Sequence, residues 1–199
     1  MAEIVDKKQA KADLRVQANE RRAALSPSFR KEAAYAAAET FVTAVPYRES
    51  QIISLYWGIR DELSTEPLLV QLMDEGYKVC LPVVKGRDVP LEFRIWEEGQ
   101  PLAPSGFGTL APQEGAPVVE PDVMVLPMLG FDANGNRLGY GAGYYDITIA
   151  NISKPLTLVG YAFAGQEVDV MPAEPHDKPL DMVVTEAGVR RFKSEGAAK

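Results

Sequence analysis

The 199-residue chain carries 46% hydrophobic and 25% charged residues, a balance that suits a buried core and excludes a disordered chain. Its formal net charge of −7 argues against a broad nucleic-acid footprint or an anionic membrane surface, so any anion site must be a local gathering of cations. Cys80 is the only cysteine, which excludes an intrachain disulfide and a cysteine-built metal centre; within Val79-Cys80-Leu81 it reads as a buried, inert thiol.

Two helices are expected to open the chain. Residues 7–24 are rich in Lys, Arg, Ala, Gln and Glu, all good helix formers. Ser26 and Pro27 read as the cap and first residue of a second helix, with Phe29, Ala33, Ala37 and Phe41 repeating every four residues and Val45-Pro46 ending it. Gln51–Trp57 is a strand candidate. A helix then starts near Ser64, carries Leu68, Leu69, Leu72 and Met73 on one face, and closes at Gly76. Lys78–Val84 reads as a second strand, and Leu91, Phe93 and Ile95 alternate with polar neighbours in a third. The Pro/Gly-rich segment 98–121 reads as a surface excursion, of a length that lids and binding loops use. Val123–Met128 is a buried strand, followed by a turn-rich loop and a helix from about Gly143 to Asn151. Thr157–Phe163 and Met182–Thr185 are the last strands expected. Strands separated by helices imply a single α/β domain over residues 1–199. The architecture expected is a Rossmann-like three-layer one, a largely parallel sheet flanked by helices on both faces with ligands at the carboxyl ends of the strands.

No apolar run approaches bilayer length, and Met1 to Asp6 bring early acids and no apolar leader core, so the expected compartment is the cytoplasm.

The stretch Asn134 to Asp146 lies between a strand and a helix. Gly139, Gly141 and Gly143 remove three side chains where backbone can wrap an anion, and the following helix aims free N–H groups at the same point. Arg137 adds a cation, and Asp146 in the first helical turn is placed to hold a metal. These are the parts that bind a nucleoside triphosphate. The plainer alternative is a glycine-rich turn whose Asp146 only complements the helix dipole. The spacing is neither a P-loop nor a dinucleotide fingerprint directly after a strand. Asp132-Ala133-Asn134-Gly135-Asn136 has the look of a calcium loop, but its glycine is misplaced and position twelve is Gly143.

Pro127, Phe131-Asp132, Gly135 and the run Arg137 to Asp146 resemble the signature of the 5-formyltetrahydrofolate cyclo-ligase family, also called 5,10-methenyltetrahydrofolate synthetases. Lys11-Ala12-Asp13-Leu14-Arg15, Asp61-Glu62-Leu63-Ser64-Thr65 and Glu174-Pro175-His176-Asp177 with Asp181 and Thr185 are similar to further family elements, in the same order. The resemblance implies ATP- and Mg²⁺-dependent closure of 5-formyltetrahydrofolate, with no nucleic acid, membrane or obligate protein partner.

The roles the resemblance implies fall on named residues. Lys11 and Arg15, at a four-residue spacing on one helix face, bind ATP phosphates together with Arg137, Leu138, Gly139, Tyr140, Gly141, Ala142, Gly143, Tyr144 and Tyr145. Glu62 contacts the pterin, Trp57 and Phe107 wall its pocket, and Tyr144 serves both ligands. Arg137, Tyr144 and Tyr145 stand at the reacting groups, and Asp146 and Asp177 hold Mg²⁺. His176, the sole histidine, reads as an exposed loop residue beside Asp177. Two positions depart from the family: Ala142 brings no lysine to the phosphates, and Ile147 stands where many members have arginine. The competing readings are a sugar-phosphate or acyl-CoA enzyme on a similar sheet, and a non-catalytic nucleotide- or folate-binding regulator.

Overall fold

The structure, a computed structural model, describes residues 2–172 and 177–192. Helix α1 spans Ala2–Ala23. Helix α2 (Pro27–Ala44) starts where the Ser26 hydroxyl accepts the Phe29 N–H and Pro27 occupies the first turn, and it ends as the Val45 N–H donates to the Phe41 carbonyl. Its buried face is Ala33, Ala34, Ala37, Ala38 and Phe41, whereas Phe29 lies at the margin against the Phe163 ring.

Strand β1 (Ile52–Ser54) leads through helix α3 (Glu66–Asp74) to β2 (Lys78–Val83), which turns back into β3 (Glu92–Trp96). The segment expected as a surface excursion holds a small hairpin, β4 (Leu102–Pro104) with β5 (Leu110–Pro112), and then β6 (Val118–Val119). Strand β7 (Val123–Leu126) is followed by the hairpin β8 (Gly130–Phe131) and β9 (Arg137–Leu138). Helix α4 (Tyr144–Asn151) returns the chain to β10 (Thr157–Tyr161), and β11 (Met182–Thr185) and β12 (Gly188–Arg191) complete the sheet.

The sheet has eight strands in the order β12-β11-β10-β7-β1-β2-β3-β6. The five central strands from β11 to β2 are parallel, and β12, β3 and β6 add antiparallel at the two edges. Side-chain alternation divides the core in two. Ile53, Val79, Val123, Val125, Val159 and Val184 face α2 and α3. Met124, Leu126, Leu158, Cys80 and Val183 face the other way, toward Ile149 and Ile152 of the α4 segment. That is the three-layer α/β arrangement expected. Burial pushes the Cys80 thiol far above its ordinary value, so it is inert packing.

Asp122 ties three strands together at one end of the sheet. Its carboxylate accepts the Ile52 N–H and the Lys154 ammonium, both at 2.7 Å. Its own N–H donates to the Ile52 carbonyl and its carbonyl accepts from Thr157. A smaller cluster of Ala18, Leu129, Leu138 and Met171, with Leu14 beside it, fastens α1 over the β8–β9 hairpin. Among the described residues no helix is long and apolar enough to cross a membrane.

The strands are shorter than expected at their carboxyl ends. β1 stops at Ser54 rather than Trp57: the Leu55 N–H still reaches the Cys80 carbonyl, but the Tyr56 carbonyl accepts the Thr65 hydroxyl, a turn partner. β7 stops at Leu126 because Pro127 has no N–H to continue the ladder. In both places the chain peels away into the same crevice.

Candidate active site

Adjacent parallel strands β1 and β7 send the chain in opposite directions, β1 through α3 to β2 on one side and β7 through α4 to β10 on the other. Such a reversal opens a crevice at the carboxyl ends of the strands. A cavity of about 770 Å³ lies there. Tyr56, Trp57, Ile59, Arg60 and Glu62 come from the exit of β1, Pro82 and Val84 from β2, and Pro127 from β7. The glycine-rich stretch, Lys11 and Arg15 of α1, and Gly106, Phe107 and Thr109 complete the wall. All the site residues named from the sequence line this one cavity.

The glycine-rich stretch is positioned by Asp132. Its fully buried carboxylate accepts four hydrogen bonds, from the backbone N–H groups of Asn134, Asn136 and Met171 and from the Asn136 side chain. The segment that looks like a calcium loop is thus an internally satisfied turn, its acid saturated by protein donors. Downstream, the Arg15 Nε donates to the Gly139 carbonyl at 3.0 Å. Gly141 has φ +97, and a Cβ there would meet the Arg15 guanidinium carbon at 3.3 Å, so both its conformation and this close approach need glycine. Gly143 at φ +72 precedes α4, whose first helical residue is Tyr144. The first-turn N–H groups of α4 therefore open toward the cavity that Tyr144, Tyr145 and Asp146 line.

The charged groups meet in pairs. The Lys11 ammonium lies 3.0 Å from Asp177, and Arg137 is paired with Asp146 while also donating to the Lys178 carbonyl at 2.7 Å. Two of the three expected phosphate cations, Lys11 and Arg137, thus sit on the expected metal carboxylates, while Arg15 sits on a backbone carbonyl. Among the described residues no three of His, Cys, Asp and Glu gather into a self-sufficient metal cage. Two oxygen donors on one cavity wall suit Mg²⁺, which keeps waters and takes its remaining ligands from substrate phosphates. His176 lies outside the described residues.

A second part of the cavity wall is acidic and aromatic. Glu62 accepts the Ile59 N–H on one oxygen at 2.8 Å and the Tyr140 hydroxyl on the other at 2.6 Å. Burial raises its pKa above the ordinary carboxylate value; these two hydrogen bonds and the positive charges of Arg22 and Arg60 oppose that shift. Each oxygen keeps a further acceptor position for a ligand. Phe107, 65% exposed and at φ +63, packs edge-on against Tyr144 with ring centroids 5.4 Å apart. Trp57 is half-buried between the α2–α3 core and the cavity. Burial, and next the Glu62 charge, push the Tyr145 hydroxyl far above its usual value.

Sequence reasoning missed Arg60, Tyr56 and Arg22. Arg60 and Tyr56 gave no signal, being single residues in a turn and a strand end. Arg22 did leave one: it follows Arg15 by seven residues and Lys11 by eleven, so the three share a face of α1.

Comparison with known proteins places these observations in a wider set. Residues 7–186 match the model of the "5-formyltetrahydrofolate cyclo-ligase family". The chain is 33% identical over 176 residues to 5-formyltetrahydrofolate cyclo-ligase of Escherichia coli K12, covering 85% of this chain and 97% of that protein. It is 30% identical over 192 residues to the mouse protein of the same name, covering 89% and 94%. Among solved structures, Aquifex aeolicus 5,10-methenyltetrahydrofolate synthetase superposes with a TM-score of 0.81 at 27% identity, covering 95% of this chain and 96% of that one.

Proposed function

The chain belongs to the 5-formyltetrahydrofolate cyclo-ligase family, and from that premise we propose that it converts 5-formyltetrahydrofolate to 5,10-methenyltetrahydrofolate with cleavage of ATP to ADP and phosphate. One observation carries the proposal. A single cavity has a cationic, glycine-lined end suited to a triphosphate and an acidic, aromatic end suited to a flat heterocycle with N–H donors.

The chemistry explains why both ends are needed. The formyl oxygen on N5 is a poor leaving group because the N-formyl unit is amide-like. Transfer of the γ-phosphoryl group to that oxygen, with release of ADP, makes it a good one. N10 then attacks the formyl carbon and loses its proton, the C–O bond breaks, and phosphate departs from the methenyl product. Both nucleophiles belong to substrates, so the protein has to align them and neutralise phosphate charge.

We assign Lys11, Arg15 and Arg137, with the backbone of Leu138 to Gly143, to the triphosphate. Glu62 takes the amino and N–H edge of the pterin through paired hydrogen bonds, and Trp57, Phe107 and Tyr144 close over its faces. Tyr144 and Tyr145 stand between the two ends, where Arg137 also acts. Asp146 and Asp177 are the residues that would hold Mg²⁺. When bound, that ion neutralises charge on the β- and γ-phosphates. With both ligands bound, Lys11 and Arg137 would turn from Asp177 and Asp146 to phosphate, leaving the two carboxylates to hold the metal.

The test is to incubate the protein with 5-formyltetrahydrofolate, ATP and Mg²⁺ and follow methenyl product by absorbance alongside ADP release. Product should require all three and match ADP one to one. ADP release independent of the folate, or no methenyl product with any divalent metal, would remove the reading.

A further inference from the structure

Arg22 is a charged side chain that the chemistry above does not use. It lies in the last turn of α1 and is 2% exposed. Burying a guanidinium is strongly unfavourable unless its charge and its donors are compensated. Its hydrogen bonding does not do this. One Nη1 bond to the Met128 carbonyl is long at 3.5 Å, that carbonyl already accepts the Gln166 amide at 2.8 Å, and the buried Nε has no partner among the described residues. A cap on the end of α1 therefore accounts for little of it.

What compensates Arg22 is the acidic end of the cavity. Its guanidinium lies 5.6 Å from the centre of the Tyr140 ring, within cation–π range, and the Tyr140 hydroxyl donates to Glu62 at 2.6 Å. Charge, ring, hydroxyl and carboxylate thus form one chain from α1 through the glycine-rich stretch to the exit of β1.

We propose that Arg22 is a positioning residue for 5-formyltetrahydrofolate: acting through Tyr140, it holds the Glu62 carboxylate ionised and aimed for the pterin. The inference rests on the assignment of Glu62 to the pterin. Arg22 itself is absent from the cavity wall, so it works at one remove. The groups facing Glu62 from each packed element are Arg22, Tyr140, Arg60 of its own turn, Tyr56 after β1 and Tyr145 of α4. The three tyrosines are all pushed above their ordinary value, in each case chiefly by burial, and Glu62 is the one carboxylic acid among these groups. Removing the Arg22 charge removes one of the forces that hold the Glu62 pKa down, so that pKa rises further.

The experiment measures binding of 5-formyltetrahydrofolate and, separately, of MgATP to the full chain from about pH 5 to about pH 8. It compares the native protein with Arg22→Met, Arg22→Lys, Tyr140→Phe and the Met/Phe double variant. Arg22→Met should weaken folate binding by about tenfold at the acid end and less at the alkaline end, with MgATP affinity within about twofold of native. Arg22→Lys should recover part of the loss. Tyr140→Phe should move the acid limb in the same direction, and the double variant should add little to the worse single one. A lower melting temperature with an unmoved acid limb, or equal weakening of both ligands, makes Arg22 a packing residue and overturns the proposal. If Arg22→Met does not fold, an acid limb unmoved in both Arg22→Lys and Tyr140→Phe overturns it equally. A native protein that binds MgATP but no 5-formyltetrahydrofolate at any pH removes the functional reading itself, and this one with it.

Discussion

Single side chains in the cavity test the two subsites proposed for it. Glu62 is joined to the Tyr140 hydroxyl and the Ile59 backbone, and Arg15 to the Gly139 carbonyl, so the two hold different atoms of the glycine-rich stretch. Glu62→Gln exchanges an acceptor for a donor at the pterin edge and should raise the KM for 5-formyltetrahydrofolate well above any change in the KM for ATP. Arg15→Ala should do the reverse. Loss of a charge-assisted hydrogen bond of about 1.5–3 kcal/mol corresponds to roughly ten- to a hundredfold in ATP affinity. Steady-state kinetics with each substrate varied in turn would show the split, and equal effects on both substrates would place either residue outside its assigned subsite. Asp146 and Asp177 call for a different readout, because each is held by a cation. Either change to Asn should lower kcat steeply, and added Mg²⁺ should restore part of it. Residues that serve one ion act as a unit, so the double variant should lose less than the product of the two single losses. Multiplicative losses with no response to Mg²⁺ would leave two separate ion pairs and no shared metal.

At the level of elements, the cavity exists because β1 and β7 stay side by side while their continuations part. Asp122 fastens that pair at the opposite end of the strands, through Ile52 of β1, its own place before β7, and Thr157 of β10. Burial alone would raise the Asp122 carboxyl, but the Ile52 N–H and the Lys154 ammonium outweigh it and hold its pKa below the ordinary value. A carboxylate depressed in the folded state contributes stability that is present above its unfolded pKa and lost as pH falls through the folded one. Asp122→Asn should therefore destabilise the protein by about 1–3 kcal/mol at neutral pH. Its difference from the native protein should shrink at an acid pH below the ordinary carboxylate range, once the native carboxyl is protonated as well. Urea denaturation at the two pH values checks this, and a difference independent of pH would mean that shape rather than charge holds the strands.

On the scale of the whole molecule, α1 is a separate layer drawn over the site. Leu14 and Ala18 pack on Leu129, Leu138 and Met171, while Arg15 reaches Gly139 and Lys11 reaches Asp177. A nucleotide that engages Lys11 and Arg15 therefore stitches the first helix to the glycine-rich stretch and to the segment before β11. Saturation with MgATP at about a hundredfold over its Kd should stabilise the folded chain by about 2.7 kcal/mol. Amide hydrogen exchange should slow in α1 and in residues 137–146 more than in α2, which packs on the other face of the sheet against α3. Arg15→Ala should abolish the extra protection of α1. Uniform protection across both helices would show that nucleotide binding stabilises the fold without engaging α1.

What the sequence determined by itself was whatever is local or repeated. Ser26-Pro27 marked the start of α2 and Val45-Pro46 its end, because capping and the missing proline N–H act within a few residues. The run Met182-Val183-Val184-Thr185 was legible as a strand because three of its residues are β-branched. The glycine spacing marked where backbone must turn tightly. Only the tertiary structure decided the rest. Strands of two to four residues, such as β6, β8, β9 and β12, are too short to carry a period, and exist because a neighbour supplies the ladder. Asp132 opens a segment with the look, but not the spacing, of a calcium loop, and folding turned its carboxylate inward onto four protein hydrogen bonds. Lys11 with Asp177, and Arg137 with Asp146, became partners across 166 and 9 residues, since opposite charges brought to one wall of a partly buried cavity pair in place of water. Arg22 could be assigned to a helix face from its spacing, yet its burial beside Tyr140 and Glu62 depends on how α1 lies across the strand ends, which no local pattern encodes.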